Sequence, residues 1–237
     1  MQILIQLHTD SPFSIPLSYN YQVQSSIYKK LSEVGQADFW HDVGFGDLSR
    51  FKSFVFGRLI GDSAVSGKTI TFNGDILLEV RSPIFSFCDA LQRSIEKNPQ
   101  IRLFDRQLSI TQCGLANRHL WNDRLLIQTL SPIVVKQKCS DGKSIFCDPQ
   151  IAEYSERVNR NFVKKYHAVY AATPTDIRLY PVREIKKTVT TYKKTWITAY
   201  DGVFLLEGSV PCLEFLYNCG LGEKNAQGFG MFTLADC

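Results

Sequence analysis

The chain of 237 residues passes twice through a similar order of predicted elements, and this repetition limits its fold more than any other feature. Each pass begins with a strand, continues through a helix and a pair of strands, and closes with a helix and a strand. In the first pass, Gln2 to Leu7 predicts the opening strand. Tyr19 to Leu31 predicts a helix, because Val23, Ile27 and Leu31 fall on one helical stripe. The repetition predicts an α+β fold made of two β-α-β-β-α-β units.

Turn and capping residues define the other elements of the first half. Asn73-Gly74 is the strongest short turn signal in the sequence and predicts a hairpin. Pro83 suits the first position of a helix after Ser82, and Asn98-Pro99 ends that helix. The remaining predicted elements are a short helix near Gln36 to His41, strands at Arg50 to Leu59, Lys68 to Asn73 and Asp75 to Val80, the helix with Ile84, Phe87, Leu91 and Ile95 on one face, and strands at Ile101 to Phe104 and Gln107 to Gln112.

The second half repeats this order. Asp148-Pro149 supplies an N-cap followed by proline, which predicts a helix from there to about Tyr166. The other predicted elements are strands at Arg124 to Lys138 (interrupted at Ser131-Pro132), Ile145 to Phe146, Asp176 to Tyr180, Val182 to Thr190, Tyr192 to Ala199 and Val203 to Gly208, a helix at Val210 to Cys219 and a strand at Met231 to Leu234. Some of these strands are expected to pair as a long hairpin that turns among lysines.

The apolar pattern breaks at Asn117 to Asp123 without a flexible linker. We therefore predict two domains, residues 1–120 and 121–237, that pack together. Apolar residues make up 44% of the chain, which is enough for each half to bury its own core. No apolar run approaches the ~20 residues that a membrane-spanning helix needs, and Met1 to Leu7 lacks the features of a signal peptide. We expect a cytoplasmic protein without a membrane partner.

The cysteines and histidines predict neither a disulfide framework nor a metal site. Seven cysteines are scattered over both halves without a C-x-x-C pair, which indicates reduced thiols. Four histidines are widely spaced and form no H-E-x-x-H or H-x-x-E-H motif. The sequence therefore predicts chemistry that needs no metal and no cofactor.

A glycine-rich segment, Gly220 to Gly230, lies between the last predicted helix and the final strand. Glycine is needed where the backbone adopts positive φ or approaches another group closely. One interpretation is a loop whose exposed N–H groups form a concavity for phosphate oxygens, with Lys224 supplying charge. The other is a helix C-cap at the first two glycines and a turn at the last two. A dinucleotide-binding fold is excluded, because its glycines follow a strand and open a helix.

Basic residues are clustered, although the net charge of +4 is small. Lys186-Lys187 and Lys193-Lys194 bracket a stretch that ends at Tyr192. A second run follows one predicted helix and contains Arg157, Arg160, Lys164 and Lys165. Each run is either a solvated face or a contact for a polyanion. Tyr192 can either stack on a base or pack on the sheet.

Several segments together resemble one known family. They are Leu17 to Tyr21 leading into Gln24 to Tyr28, Trp40 to Phe45, Phe51 to Phe56, Leu130 to Ile133 and the final Gly-x-Gly-x-x-x-x-x-Gly-Phe-Gly pattern. In this order they resemble the CRISPR-associated endoribonucleases that cut precursor CRISPR RNA within its repeats. The glycine pattern marks the wider repeat-associated (RAMP) superfamily. The resemblance runs from Met1 to the final strand and implies two tandem ferredoxin-like domains packed together.

The resemblance also implies metal-independent cleavage by the RNA's own 2′-hydroxyl, which leaves a 2′,3′-cyclic phosphate and a 5′-hydroxyl. It assigns this chemistry to Tyr28, His41 and Lys52. His41 can take or give a proton near neutral pH. Tyr28 can donate a proton to the leaving 5′-oxygen or orient the 2′-hydroxyl, and Lys52 can stabilise the charge of the transition state. The acid and base roles of His41 and Tyr28 remain exchangeable.

RNA contacts are expected mainly in the second domain. The predicted RNA-binding residues are Gly220, Gly222, Lys224, Asn225, Gly228, Gly230, Lys186, Lys187, Lys193 and Lys194. Two other classes stay open. One is a non-catalytic RAMP protein that holds guide RNA beside other CRISPR-associated effector subunits. This class does not explain why Tyr28, His41 and Lys52 occur together. The other is a ferredoxin-like pair that binds a small ligand, which predicts no salt-dependent affinity for RNA.

Overall fold

The computed structural model describes residues 1–35, 51–139, 142 and 144–235. The first sheet contains β1 (Gln2–Pro16), β2 (Val55–Phe56), β3 (Ile60–Ser66), β4 (Thr69–Arg81), β5 (Gln100–Leu103) and β6 (Arg106–Ala116). The second contains β7 (Arg124–Thr129), β10 (Arg178–Tyr192), β11 (Thr195–Glu207) and β12 (Phe232–Leu234), while β8 (Lys136–Lys138) and β9 (Ser144–Phe146) form a separate pair. The helices are α1 (Asn20–Ser32), α2 (Phe85–Lys97), α3 (Tyr154–Tyr170) and α4 (Val210–Cys219).

The strand order of both sheets is that of a ferredoxin-like domain. In the second sheet the order is β10-β11-β7-β12, and α3 and α4 connect β7 to β10 and β11 to β12. In the first sheet β1 lies between β4 and β6 and is antiparallel to both, and β2 and β3 pair with the other edge of β4. The predicted α+β fold with tandem ferredoxin-like domains is confirmed.

Each domain has its own hydrophobic core. Alternate residues of β1 point inward, and α1 buries the predicted stripe of Val23, Ile27 and Leu31 against them. In the second domain, Phe162 of α3 and Leu216 of α4 pack over the sheet, and both are fully buried. Burial of each such side chain contributes roughly 1.5–3 kcal/mol, so these apolar faces hold the helices on the sheets.

The predicted hairpin at Asn73-Gly74 is wrong. Strand β4 continues through these residues, and the chain turns instead at Gly67, between β3 and β4. The long β1 strand supplies a partner for both halves of β4, so a turn in the middle would leave ladder hydrogen bonds unmade. Gly74, with a φ of +70°, lies where the register with β1 shifts, as expected for a bulge.

Several predicted boundaries also differ. The opening strand continues to Pro16 and does not end at Leu7, and β10 and β11 each join two strands that the sequence predicted separately. Helix α3 begins at Tyr154 and not at Pro149, because the Asp148 carboxylate accepts the Gln150 N–H and forms a local turn. Helix α2 begins at Phe85, two residues after Pro83. Among the described residues 51–59 of the strand predicted from Arg50 to Leu59, two form a strand, β2. The helix predicted near Gln36 to His41 lies outside the described residues.

The long hairpin of β10 and β11 is confirmed, and its turn falls at Lys193 and Lys194.

Within the described residues, no helix is long and apolar enough to cross a bilayer. The same residues contain no group of three or more His, Cys, Asp or Glu side chains that could hold a metal ion.

A buried arginine connects the two domains. Arg81, at the end of β4, is 1% exposed, and its Nε donates to the Glu79 carboxylate at 2.6 Å. Its Nη1 crosses to the second domain and donates to the Phe232 carbonyl at 2.7 Å. The guanidinium carbon lies 3.8 Å from the centre of the Tyr217 ring, a cation–π contact. These contacts fix the second domain against the end of β4 in the first sheet.

Candidate functional site

A cleft of about 650 Å³ lies between the two domains and is lined by both. Gln24 and Tyr28 of α1 and residues 51–54 form the wall from the first domain. Lys138 at the end of β8, the polar side of α3 and the glycine-rich segment form the wall from the second. Polar and charged side chains from both domains therefore meet around one space.

Tyr28 is held in the cleft wall by the packing of α1. The helix buries Ile27 in the core, which places Tyr28 and Gln24, one turn apart, on its flank beside the cleft. The Tyr28 ring meets Phe54 edge-on with 5.7 Å between ring centres, and Phe54 stacks on Phe87 at 4.8 Å. This aromatic stack anchors the ring of Tyr28 independently of its hydroxyl.

Lys52 lies beside a strained turn that leads into β2. Ser53 has a φ of +46°, which is unfavourable for a residue with a side chain. Its carbonyl accepts a hydrogen bond of 2.7 Å from the hydroxyl of Ser82, which is fully buried. The chain then enters the core at Phe54, so the turn leaves Lys52 at the edge of the cleft.

Two of the three predicted catalytic residues, Tyr28 and Lys52, therefore line the same cleft. His41 lies outside the described residues. The roles given to the three residues remain predictions.

The cleft is rich in positive charge. Five of its described lining residues are lysines, namely Lys52, Lys138, Lys164, Lys165 and Lys224. One lining residue, Glu223, is acidic, and its carboxylate accepts the Lys136 N–H at 3.2 Å and lies 3.8 Å from the Lys136 ammonium. Because Lys136 balances that carboxylate, the surplus charge of the cleft favours an anionic ligand.

The glycines allow the segment to pack closely against the rest of the chain. Gly222 has a φ of +63°, and a Cβ there would lie 2.4 Å from the Val134 carbonyl oxygen. A Cβ on Gly230 would lie 2.0 Å from the Leu221 carbonyl oxygen. Gly228 lies against the ring of Phe56 in the first domain, 2.6 Å from the position of such a Cβ. A larger residue would collide with the backbone at Gly222 and Gly230 and with side chains at Gly228.

This geometry corrects the concavity of exposed N–H groups predicted from the sequence. The N–H groups of Gly220, Leu221, Glu223 and Gly230 donate to carbonyls of the chain itself, and the glycines of the segment are buried. The alternative interpretation is correct for Gly220, whose N–H caps α4 by donating to the Leu216 carbonyl at 2.7 Å. Any part that these glycines play in RNA binding is therefore expected to be through the shape of the segment.

Lys224 and Asn225 have different surroundings, although they are neighbours. Lys224 is half-buried at the cleft, with a φ of +64° and its ammonium 3.3 Å from the Gln227 side-chain oxygen. Burial lowers the pKa of Lys224, and the charge of Lys136 lowers it further. Asn225 is 8% exposed, and its amide binds the backbone of the segment. Lys224 is the stronger candidate for an RNA contact.

The four hairpin lysines, Lys186, Lys187, Lys193 and Lys194, are exposed and are not among the described lining residues of the cleft. The tip of the hairpin instead docks on α1. The Tyr192 hydroxyl bonds to the Gln24 side-chain oxygen, and its ring meets Tyr21 edge-on at 5.8 Å. The Lys193 ammonium lies 4.5 Å from the centre of the Tyr21 ring. Tyr192 therefore packs between the domains, and RNA binding by the four lysines remains a prediction.

Several polar residues of the cleft were not among the predicted site residues, and Lys138, Asn161 and Lys164 are three of them. Asn161 and Lys164 are one turn apart on α3 and face the cleft together. Lys164 belongs to the basic run that the sequence analysis noted, and its helical spacing was the available signal. Lys138 follows no periodic pattern and was not recognisable.

Residues 116–234, half of the chain, match the family model described as CRISPR associated protein Cas6, C-terminal. The chain belongs to the Cas6 family. It is 25% identical to "CRISPR-associated endoribonuclease Cas6 1" of Methanocaldococcus jannaschii, over 98% of this chain and 91% of that protein. It is also 25% identical to "CRISPR-associated endoribonuclease Cas6" of Pyrococcus furiosus, over 98% of this chain and 89% of that protein.

A solved structure supports the fold of this Cas6 family member. The structure titled "Characterization of a Cas6-related gene from Pyrococcus furiosus" superposes with a TM-score of 0.87 at 24% identity and covers 100% of this chain and 98% of that one. Both domains are therefore included in the match.

Proposed function

We propose that this Cas6 family protein is an endoribonuclease that cuts precursor CRISPR RNA within its repeats in the cleft between its two domains. The observation that carries the proposal is the lining of that cleft, with Tyr28 and Lys52 on one wall and Lys138, Lys164 and Lys224 on the other. An anionic backbone fits between such walls, and the first wall carries groups that can transfer a proton and stabilise negative charge. The relatives from M. jannaschii and P. furiosus are named as endoribonucleases, which supports the activity.

The proposed reaction uses a nucleophile that the RNA itself supplies. The 2′-oxygen forms a bond to phosphorus while the bond from phosphorus to the 5′-oxygen breaks. The 2′-hydroxyl loses its proton to a base, and the leaving 5′-oxygen gains one from an acid. His41 and Tyr28 fill these roles in either order, and the Lys52 ammonium stabilises the extra charge on the phosphate in the transition state. The products are a 2′,3′-cyclic phosphate and a 5′-hydroxyl.

We propose a division of work between the predicted domains, residues 1–120 and 121–237. The first carries the groups for cleavage, and the second grips the RNA through lysines of β8, α3 and the glycine-rich segment. The change of sheet between β6 and β7, within residues 116–124, supports this boundary.

Substitution of Lys224 by Met is expected to weaken binding of repeat RNA about 3- to 10-fold, because one phosphate contact is lost. The slope of log affinity against log salt should fall by about 0.7, the value for one contact to a single strand. Filter binding over a salt series measures both. Lys68→Met removes an equal charge from the exposed turn before β4 and should change neither. An unchanged salt slope for Lys224→Met would remove Lys224 from the RNA contacts.

The function is tested by incubating the protein with the CRISPR repeat RNA of its own source organism in excess chelator. We expect cleavage at one position in each repeat, with a cyclic phosphate on the upstream product and no cleavage of RNA that carries a single 2′-deoxy nucleotide before that position. RNA that is bound with salt-dependent affinity but left intact would instead support a non-catalytic RNA-holding protein. Cleavage of the 2′-deoxy RNA would refute the internal nucleophile.

A further inference from the structure

Lys165 is a fully buried lysine whose charge is enclosed by the glycine-rich segment. It lies on α3, is 2% exposed, and donates to the carbonyls of Gly220 at 2.6 Å and Gly222 at 3.1 Å. A third bond of 3.0 Å goes to the side-chain oxygen of Asn225. An ammonium has three N–H donors, so these three acceptors satisfy it completely.

The same contacts organise the segment itself. The amide nitrogen of Asn225 donates to the carbonyls of Leu221 at 2.9 Å and Phe229 at 3.0 Å, which closes the loop on itself. Burial lowers the pKa of Lys165, and the charge of Glu223 opposes that shift. A buried cation is tolerated where several acceptors surround it, and removal of the cation leaves those acceptors buried without donors.

The far side of the segment is attached to the first domain. Asn20, the first residue of α1, donates from its side-chain nitrogen to the carbonyl of Gln227 at 2.8 Å, and the Gly228 carbonyl lies 3.3 Å from the same nitrogen. Ala226 packs into the core of the first domain. Helix α1 carries Tyr28 two turns further along. An unbroken series of contacts therefore joins α3 on one wall of the cleft to the helix that holds Tyr28 on the other.

We propose that Lys165 is a positioning residue for RNA cleavage. Its ammonium fixes the shape of the glycine-rich segment, and the segment holds α1 at the distance from α3 at which RNA gripped by the second domain meets Tyr28 and Lys52. The inference rests on the proposed function. Lys165 itself does not touch RNA, because its three donors are all used within the protein.

The neighbouring lysine provides a matched control. Both lysines line the cleft, but Lys164 is exposed there, whereas Lys165 is buried in the wall. Lys164→Met and Lys165→Met remove the same charge from adjacent positions of one helix. The first should affect the grip on RNA, and the second should affect the alignment of the two walls.

The test is single-turnover cleavage of repeat RNA at saturating protein, with binding measured separately. For Lys165→Met we expect a rate constant about 10- to 100-fold lower, since a misplacement of ~1 Å can cost that much, and a dissociation constant within about threefold of the original. For Lys164→Met we expect a dissociation constant about 3- to 10-fold higher, with a smaller fall in the rate constant than for Lys165→Met. A variant that merely folds less completely would keep its rate constant, because at saturation this constant does not depend on the folded fraction.

A folded Lys165→Met variant that cuts at the original rate would overturn the inference. If that variant does not fold, Asn20→Ala breaks the other attachment of the segment and is expected to show the same slow rate with unchanged binding. An original rate for Asn20→Ala would equally overturn it. Failure of the unaltered protein to cut repeat RNA would contradict the proposed function instead, so the two outcomes are distinguishable.

Discussion

Substitution of Tyr28 by Phe is expected to slow cleavage of repeat RNA by about 10²- to 10⁴-fold, the usual loss when a positioned proton-transfer group is removed. The change deletes one hydroxyl and leaves the ring, so the edge-on contact with Phe54 and the fold should be retained. Binding of the RNA should change by less than about threefold, because the lysines of the second domain remain. A single-turnover rate and a dissociation constant measured on the same RNA separate these effects. His41→Ala is expected to produce a loss of the same order.

The control is Tyr21→Phe, the same substitution on the same helix. Tyr21 packs against Tyr192 at the hairpin tip and is not among the described residues that line the cleft. It should cut at close to the original rate. If Tyr28→Phe and Tyr21→Phe cut equally well, the Tyr28 hydroxyl has no part in the reaction.

Substitution of Arg81 by Met is expected to lower the free energy of unfolding by about 3–5 kcal/mol, the usual cost of removing one partner from a buried ion pair. Glu79 would keep a largely buried carboxylate without its partner, and the carbonyl of Phe232 in the second domain would lose a donor. The cation–π contact with Tyr217 would also be lost. Urea unfolding followed by circular dichroism measures the change. In addition to the loss of stability, we expect the packing of the second domain against the first to become weaker.

Arg124→Met is the matched control for this prediction. Arg124 pairs with Glu207 at 3.1 Å, but its side chain is 68% exposed, so its loss should cost no more than about 1 kcal/mol. Equal losses for the two variants would mean that the buried pair does not hold the domains together.

The sequence was a good guide to the elements and a weaker guide to their ends. Helices α1 and α2 were predicted correctly from the helical spacing of their apolar residues, which in α1 are Val23, Ile27 and Leu31. This spacing follows directly from the burial of one helix face. The hairpin predicted at Asn73-Gly74 was wrong, because a local turn preference carries no information about distant strands. Strand β1 extends to Pro16 and pairs with both halves of β4. The helix start predicted at Asp148-Pro149 was wrong because these residues form a local turn instead.

The candidate site was predicted in part. Tyr28 and Lys52, which the resemblance assigned to one reaction, line one cleft, although they lie on separate elements, α1 and the turn before β2. The glycine-rich segment was identified as important, but the predicted exposure of its backbone N–H groups was wrong. A pattern of glycines indicates that the backbone adopts positive φ or packs closely. Because both exposed and buried loops have these properties, the pattern does not distinguish between them.

The sequence by itself determined the two ferredoxin-like units, the packing faces of α1 and α2 and the location of the glycine-rich segment, since each depends on residues close together in the chain. Only the tertiary structure decided what Lys164 and Lys165 do. They are identical in type and adjacent on α3, yet one is exposed at the cleft and the other is enclosed by Gly220, Gly222 and Asn225. The physical reason is that a lysine's role depends on which acceptors surround its ammonium, and here they come from a segment more than fifty residues away in the chain.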